Sequence, residues 1–520
     1  MISAISHLVR LARAGIVFAR EGVLALPYQV PLPWSAQMAV RIARLIERPT
    51  GSSAEHRLST ALSRLGPAYV KLGQFFATRP DVVGMALARD LESLQDRMSP
   101  FPQAEAEAVV AKALDKPLTQ AYASFGPAVA AASIAQVHRA EVVTPDGLKP
   151  MAVKVLRQDV ERRFRVDLEA FSFVAECGER FSAEARRLRL IETVETMRRS
   201  VAMEMDLRLE AAALSEMSEN TKNDPDFRVP TVDWDRTAKD VLTLEWIEGT
   251  PLNDRARLEA MGLDLPKLAA AVIQTFLRHA LRDGFFHADM HPGNLFVDAE
   301  GKLIAVDFGI MGRLGPKERR FLAEILFGFI TRNYRRTAEV HFEAGYVPAK
   351  HSVDDFAQAI RAIGEPIHKR TAEDISMAKL LTLLFEVTGL FDMRTRPELL
   401  LLQKTMVVVE GVARGLDPRL DMWTVAEPVV REWIERHLGP TGRIEDAAKG
   451  TLGFLGTVPS LLTRSAALVE HLDEITRDGL VLAPHIVETM GKAQTRIHRW
   501  TAMALWVIVA LLIWFALRSL

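Results

Sequence analysis

Four short segments of the 520-residue chain carry side chains that could handle a magnesium-bound triphosphate. In MAVKV, Lys154 stands in an alternating apolar run, and a lysine on a central strand can reach the α- and β-phosphates of a nucleotide. A lone strand lysine is ordinarily a surface residue, so its partners decide the matter. The helix-forming stretch AMEMDLRLEAA offers Glu210 to hold that ammonium, with Glu204 and Asp206 nearby; any one of these acids alone reads as a solvated helix face. In HADMHPGN, Asp289 and Asn294 are separated by four residues, the spacing at which an aspartate can orient a nucleophile's proton while an amide reaches a metal. Pro292 and Gly293 impose the turn between them. Asp307 ends the apolar run IAVDFG, where a carboxylate can bind Mg²⁺ that bridges phosphates. Each fragment alone occurs by chance; the four in this order point to phosphoryl transfer or nucleotide hydrolysis.

The elements that would position them follow from periodicity. SIAQVHRAEVV and PMAVKVLR alternate as strands around a turn at Pro145-Asp146-Gly147, and DVLTLEWIEGTPL supplies another strand. Residues 158–222 and 265–283 read as helical, and NLFVD pairs with KLIAVDFG across a turn at Ala299-Glu300-Gly301. A small sheet interrupted by helix and followed by a helical lobe is an α+β, two-lobed, protein-kinase-like architecture. Two departures stand out. The phosphate-covering loop, expected to be glycine-rich so that backbone can approach phosphate, is Ala130-Ala131-Ala132-Ser133, which predicts unusual nucleotide geometry and ATP-against-ADP preference. After Asp307 the chain runs almost directly into the helical GPKERRFLAEIL, with no A-P-E motif and hence no platform for peptide substrates.

Other chemistries find less support. His287 and His291 suggest zinc, but no third ligand stands at a suitable spacing. The single cysteine, Cys177, excludes an internal disulfide and lies in an apolar helical run where a buried thiol is the ordinary case. With 65 basic and 66 acidic residues, nothing in the overall charge calls for nucleic acid. The basic leader LVRLARAGIVFAREGVLAL fits either a helix lying on a membrane or one docked on the body. Residues 500–517 carry no charge and would span about 27 Å as a helix. Lys492, Arg496 and Arg499 precede this stretch, so the sequence predicts a single transmembrane helix with the body cytoplasmic.

With these pieces placed, the sequence resembles the UbiB family of atypical kinase-like proteins over roughly residues 55–440. The likeness rests on GPAYVKLGQFFATRPDVV with its K-x-G-Q pattern, on the alanine loop with SIAQVH, on the Glu204/Asp206 pair, and on HADMHPGN and DFG. The resemblance implies a Lys154–Glu210 ion pair, Asp289 as catalytic aspartate, and Asn294 and Asp307 as Mg²⁺ ligands. It further implies nucleotide contacts from Ala130, Ala131, Ala132, Ser133, Ile134, Ala135, Gln136, Val137 and His138, and from Glu245 and Ile247 after the last upper-lobe strand. Helices bearing Lys71 and Gln74 would fold over the site near Glu204 and Asp206, as regulatory elements. The implied cofactors are ATP or ADP and Mg²⁺. The implied setting is the cell inner membrane, with membrane lipids as partners and quinone-biosynthesis enzymes or prenylated intermediates as the objects of the activity. The implied function is a membrane-attached ATPase or phosphotransferase supporting ubiquinone biosynthesis; the alternative is a nucleotide-binding pseudokinase scaffold. The expected domains are a leader (1–53), a helical K-x-G-Q extension (54–124), an upper lobe (125–250), a helical lower lobe (251–440), a helical linker (441–499) and the span (500–518).

Overall fold

The computed structural model describes residues 2–23, 47, 57–77, 90, 91, 94, 99–181, 186, 189–367, 387, 389–393 and 397–439. The chain divides into two compact units, Met1–Ile434 and Glu435–Leu520, and the fold and site lie in the first. Three helices open it: α1 (Ile2–Arg20), α2 (Arg57–Leu65) and α3 (Pro67–Ala77). Two more, α4 (Gln103–Leu114) and the short α5 (Leu118–Ala121), lead into strands β1 (Ser124–Ala131), β2 (Ala135–Thr144) and β3 (Gly147–Leu156). Then come α6 (Val160–Phe181), α7 (Leu190–Glu204), α8 (Leu207–Thr221), β4 (Phe227–Arg228) and β5 (Val241–Glu245).

These strands form an antiparallel sheet in the order β1-β2-β3-β5, with Lys154 opposite Val137 on one side and Leu242 on the other. Alternation gives the sheet two different faces. Val142, Met151, Val153 and Val155 join Ala106 and Val110 of α4 in one core, so α4 covers the face turned away from Lys154. Lys154, one residue from Val153 and from Val155 along the strand, is turned to the opposite face and looks into the cleft.

The lower part contains β6 (Thr250–Pro251), α9 (Arg255–Ala260) and α10 (Leu265–Arg278). Asp264 caps α10 by accepting from the Lys267 amide, and its stripe of Leu268, Val272, Ile273 and Phe276 is buried. The helix closes in a π-turn, His279–Asp283, ended by Gly284 at φ 66°. Short strands follow: β7 (Phe285–His287), β8 (Leu295–Val297), β9 (Leu303–Ala305) and β10 (Met311–Arg313). They pair as β10-β7 and β4-β9-β8-β6, so the strand pair expected across Ala299-Glu300-Gly301 is present as β8–β9. Helices α11 (Pro316–Ile330), α12 (Tyr334–Glu343), α13 (Val353–Ile367), α14 (Pro397–Leu416) and α15 (Met422–Leu438) complete the helical part. The whole is the expected α+β mixture of small, mostly antiparallel sheets and many helices.

Among the described residues no helix is long and apolar enough to cross a membrane. The predicted span at 500–518, the linker at 441–499 and residues 24–46 of the leader lie outside the described residues.

One glycine is set by close approach. Gly312 in β10 faces Phe286 in β7, and a Cβ there would overlap the Phe286 ring. That ring is 1% exposed and packs edge-on against Phe276 at 5.7 Å, so it has nowhere to turn. Gly312→Ala is therefore expected to cost about 1–3 kcal/mol of stability, read from urea unfolding midpoints at unchanged m-value. An unchanged midpoint would mean the two strands can separate freely.

Candidate active site

Lys154 projects from β3 and meets two acids. Its Nζ lies 2.9 and 3.0 Å from the two oxygens of Glu210 and 3.1 Å from Oδ1 of Asp307. Glu210 reaches it from the first turn of α8, which Asp206 caps by accepting from the Arg208 amide. Asp307 follows β9 with φ 61°, a left-handed conformation uncommon for a residue with a side chain, and its Oδ1 also accepts from the Gly309 amide at 3.3 Å. That backbone turn aims the carboxylate at the cleft.

The three charges hold one another. Burial opposes the charge on Lys154, but Asp307 and Glu210 outweigh it and raise the ammonium's pKa. Burial would likewise raise Asp307; the Lys154 charge and hydrogen bond, with the Gly309 amide, hold it at about 2. Glu210 is raised, because its burial outweighs what Lys154 returns and Asp307 repels it. The two acids differ in access: the Glu210 side chain is 6% exposed and that of Asp307 47%, so Asp307 is the one open to a ligand.

Asp289 and Asn294 sit in one loop between β7 and β8, stitched from within. The Asp289 amide donates to Nδ1 of His287 at 3.0 Å, so Nε2 of His287 carries the hydrogen and donates to the Val306 carbonyl at 3.2 Å. Burial lowers the His287 pKa and keeps this ring neutral. Asn294 donates through Nδ2 to the Asp289 backbone carbonyl at 3.1 Å, and the Asn294 backbone carbonyl accepts from the Val306 amide at 2.9 Å. The ring of His287 meets Phe308 edge-on at 4.9 Å. The loop is thus tied to the segment bearing Asp307 by two hydrogen bonds and one ring contact. His291, the second histidine, accepts from the Gly293 amide at 3.0 Å and lies 3.9 Å from Asp289.

The donor set suits a hard cation. Asp307 offers a carboxylate open to the cleft. Asn294, having spent its amide nitrogen on Asp289, keeps its oxygen for a ligand. Mg²⁺ takes few protein oxygens and completes its shell with phosphates and water, so these two residues fit it.

Not every residue expected around the nucleotide faces the cleft. Gln136 and His138 lie on the sheet's other face: Gln136 accepts from the Phe101 amide at 2.9 Å and meets Nε2 of His138 at 2.9 Å, while Nδ1 of His138 bonds the Gly126 carbonyl. Both are 1% exposed or less. Alternation places Val137, between them, on the Lys154 side. The Glu245 carboxylate is taken by Arg228 at 2.9 Å and by the amide and hydroxyl of Thr231, leaving only its backbone to a ligand. In the alanine loop, Ala130 is exposed, Ala131 and Ala132 half-buried, and Ser133, Ile134 and Ala135 buried. The Ala132 amide donates to the Ala135 carbonyl at 2.8 Å, and Arg157 donates to the Ala132 carbonyl. Ile247 is half-buried in the connection after β5.

Lys71 on α3 pairs with Glu204, the last residue of α7, at 2.5 Å, and both side chains are nearly buried. Gln74 stands one turn further along the Lys71 side of α3 and is half-buried. Asp206 is occupied as the cap of α8 and by Arg208, whose hydrogen bond lowers its pKa. Within the K-x-G-Q pattern the glycine has a physical reason: a Cβ on Gly73 would strike Leu62 and Leu94. Sequence reasoning missed the arginines that brace the site, Arg157, Arg282 and Arg313, because their partners lie far away along the chain.

The profile of the ABC1 atypical kinase-like domain matches residues 93–341, and that of the UbiB helical domain matches residues 360–421. A "Probable protein kinase UbiB" of Marinobacter nauticus is 39% identical over 88% of this chain and 84% of the relative. The protein of the same description from Azotobacter vinelandii is 37% identical over 87% and 82%. The solved Rv3197–erythromycin complex from Mycobacterium tuberculosis shares the fold, at TM-score 0.51 and 24% identity, over 76% of this chain and 97% of that one.

Proposed function

The chain belongs to the UbiB family of ABC1 atypical kinase-like proteins, and on that premise we propose that it binds a magnesium nucleotide in the Lys154 cleft and hydrolyses it or transfers its γ-phosphoryl group, in support of ubiquinone biosynthesis. The observation that carries this reading is the three-way contact of Lys154 with Glu210 and Asp307 beside the Asp289–Asn294 loop. Lys154 would neutralise the α/β-phosphates, and Asn294 and Asp307 would hold Mg²⁺, which supplies charge neutralisation at the transferring phosphate. Asp289, held by its backbone but with its carboxylate exposed, would orient the attacking water or hydroxyl. Membrane lipids, prenylated intermediates and quinone-pathway enzymes are the proposed partners, at the inner membrane.

A nucleotide-binding pseudokinase scaffold is the second reading. It is favoured by the alanine loop, where the Ala132 amide is spent on Ala135 instead of being free for a phosphate. Phosphate release by the full chain, with MgATP and with or without anionic lipid vesicles, separates the two. Hydrolysis that needs Mg²⁺ and rises with vesicles is expected. Nucleotide that raises the melting temperature without any phosphate release would favour the scaffold, and neither effect would sink both. In cells, loss of the gene is expected to deplete quinone and accumulate an early prenylated precursor.

A further inference from the structure

Glu210 sits in the first turn of α8, so the rest of that helix must be held by something outside the cleft. Its buried face, with Ala211, Leu214 and Met217, packs it into the core, and two arginines grip it further along. Arg313, at the end of β10, grips Glu216 with both arms of its guanidinium, Nη1 to Oε1 at 2.7 Å and Nη2 to Oε2 at 2.5 Å. The same guanidinium lies 4.3 Å from the centre of the Phe285 ring, its register partner in β7. Phe285 is 2% exposed, so this platform is fixed. Strand β7 runs into His287 and Asp289, and β10 issues from Asp307-Phe308-Gly309. One side chain therefore touches the Glu210 helix, the strand that leads into the Asp289 loop and the strand that follows Asp307. At the far end of α8, Arg282 of the π-turn donates to Asp224 at 2.6 Å and to the Asn220 carbonyl at 3.2 Å.

Resting on the nucleotide-site reading above, we propose that Arg313 and Glu216 are positioning residues: an external latch that sets α8, and with it the reach of Glu210 toward Lys154 and Asp307. The two braces differ in kind. The Asp224 side chain is 4% exposed, which makes its pairing a permanent anchor. Arg313 and Glu216 are 66% and 38% exposed, so their pairing can open and close in water without unfolding the lobe. Glu216 stands about 9 Å along the helix axis from Glu210, close enough for a rigid helix to carry the displacement.

The test uses the full chain with Glu216→Lys, Arg313→Glu and the two together. Three quantities are read: hydrogen exchange of the 207–221 amides without nucleotide, kcat and KM for MgATP, and the melting temperature. Each single reversal is expected to speed α8 exchange and lower kcat roughly three- to thirty-fold, with the melting temperature nearly unchanged. The double variant recovers both in part, since opposite charges face again but the stacking on Phe285 is lost. Where a reversal unfolds the protein, Glu216→Gln replaces it. Wild-type exchange in the single variants, or a double variant no slower in exchange than the singles, would overturn the latch. A wild-type chain that hydrolyses no ATP would instead remove the nucleotide reading, while the exchange data still decide the latch.

Discussion

Asp289→Asn is expected to lower phosphate release roughly a thousandfold while leaving nucleotide binding and the melting temperature close to wild type. The reason lies in how the loop is held. Its hydrogen bonds run through the Asp289 amide to His287 and the Asp289 carbonyl from Asn294, not through the carboxylate. Asparagine preserves both and keeps the side chain's shape, but its amide nitrogen cannot accept a proton. The side chain is 37% exposed, so no buried partner is orphaned by the change. Steady-state phosphate release and nucleotide titration on the same preparation check this. Equal turnover in variant and wild type would take Asp289 out of the chemistry.

What the sequence made legible was set by spacing. Asp289 and Asn294 are close along the chain and sit in one loop, so their proximity could be read locally. Lys154 and Asp307 end or occupy apolar strands, where the period-two pattern announces both the element and the face. Glu210 was recoverable because a helix rich in acid follows the strand, although its choice over Glu204 and Asp206 became physical only in three dimensions. There Glu204 turns to Lys71, Asp206 caps α8, and Glu210 alone meets Lys154. The same alternation should have split SIAQVH into two faces; taking the segment whole placed Gln136 and His138 at the nucleotide, whereas their side chains bind Phe101 and Gly126 behind it. The Arg313–Glu216 and Arg282–Asp224 braces join residues 97 and 58 positions apart, and neither has a local signature. An arginine after an apolar strand and a glutamate on a helix are common surface residues until the fold makes them neighbours.

Lys154→Met carries the second large expectation, because it leaves two acids facing each other without a cation. Removing one partner of a buried pair typically costs about 3 kcal/mol, and here the near-fully buried Glu210 bears most of it, Asp307 being partly in water. The sign of the pH dependence follows from linkage. In the wild type Lys154 holds Asp307 at about 2, so Asp307 contributes stability at neutral pH that is lost only as pH falls from its unfolded value near 4 toward 2. Glu210 is already raised, so it opposes folding above its unfolded pKa and ceases to do so once protonated. Without the ammonium both carboxyls titrate above their unfolded values, and the folded variant gains protons as pH falls. The stability gap between wild type and Lys154→Met should therefore be widest at pH 7 and narrow toward about pH 4.5. Adding Glu210→Gln to Lys154→Met removes the orphaned charge and should restore most of the stability but none of the turnover, since the phosphates still lack their cation. Urea unfolding of the three proteins at pH 7 and 4.5 reads both effects. A gap that stays constant with pH, or a double variant no more stable than Lys154→Met, would mean that these three groups are not electrostatically coupled, and the proposed reading of the cleft as a triphosphate site would lose its electrostatic support.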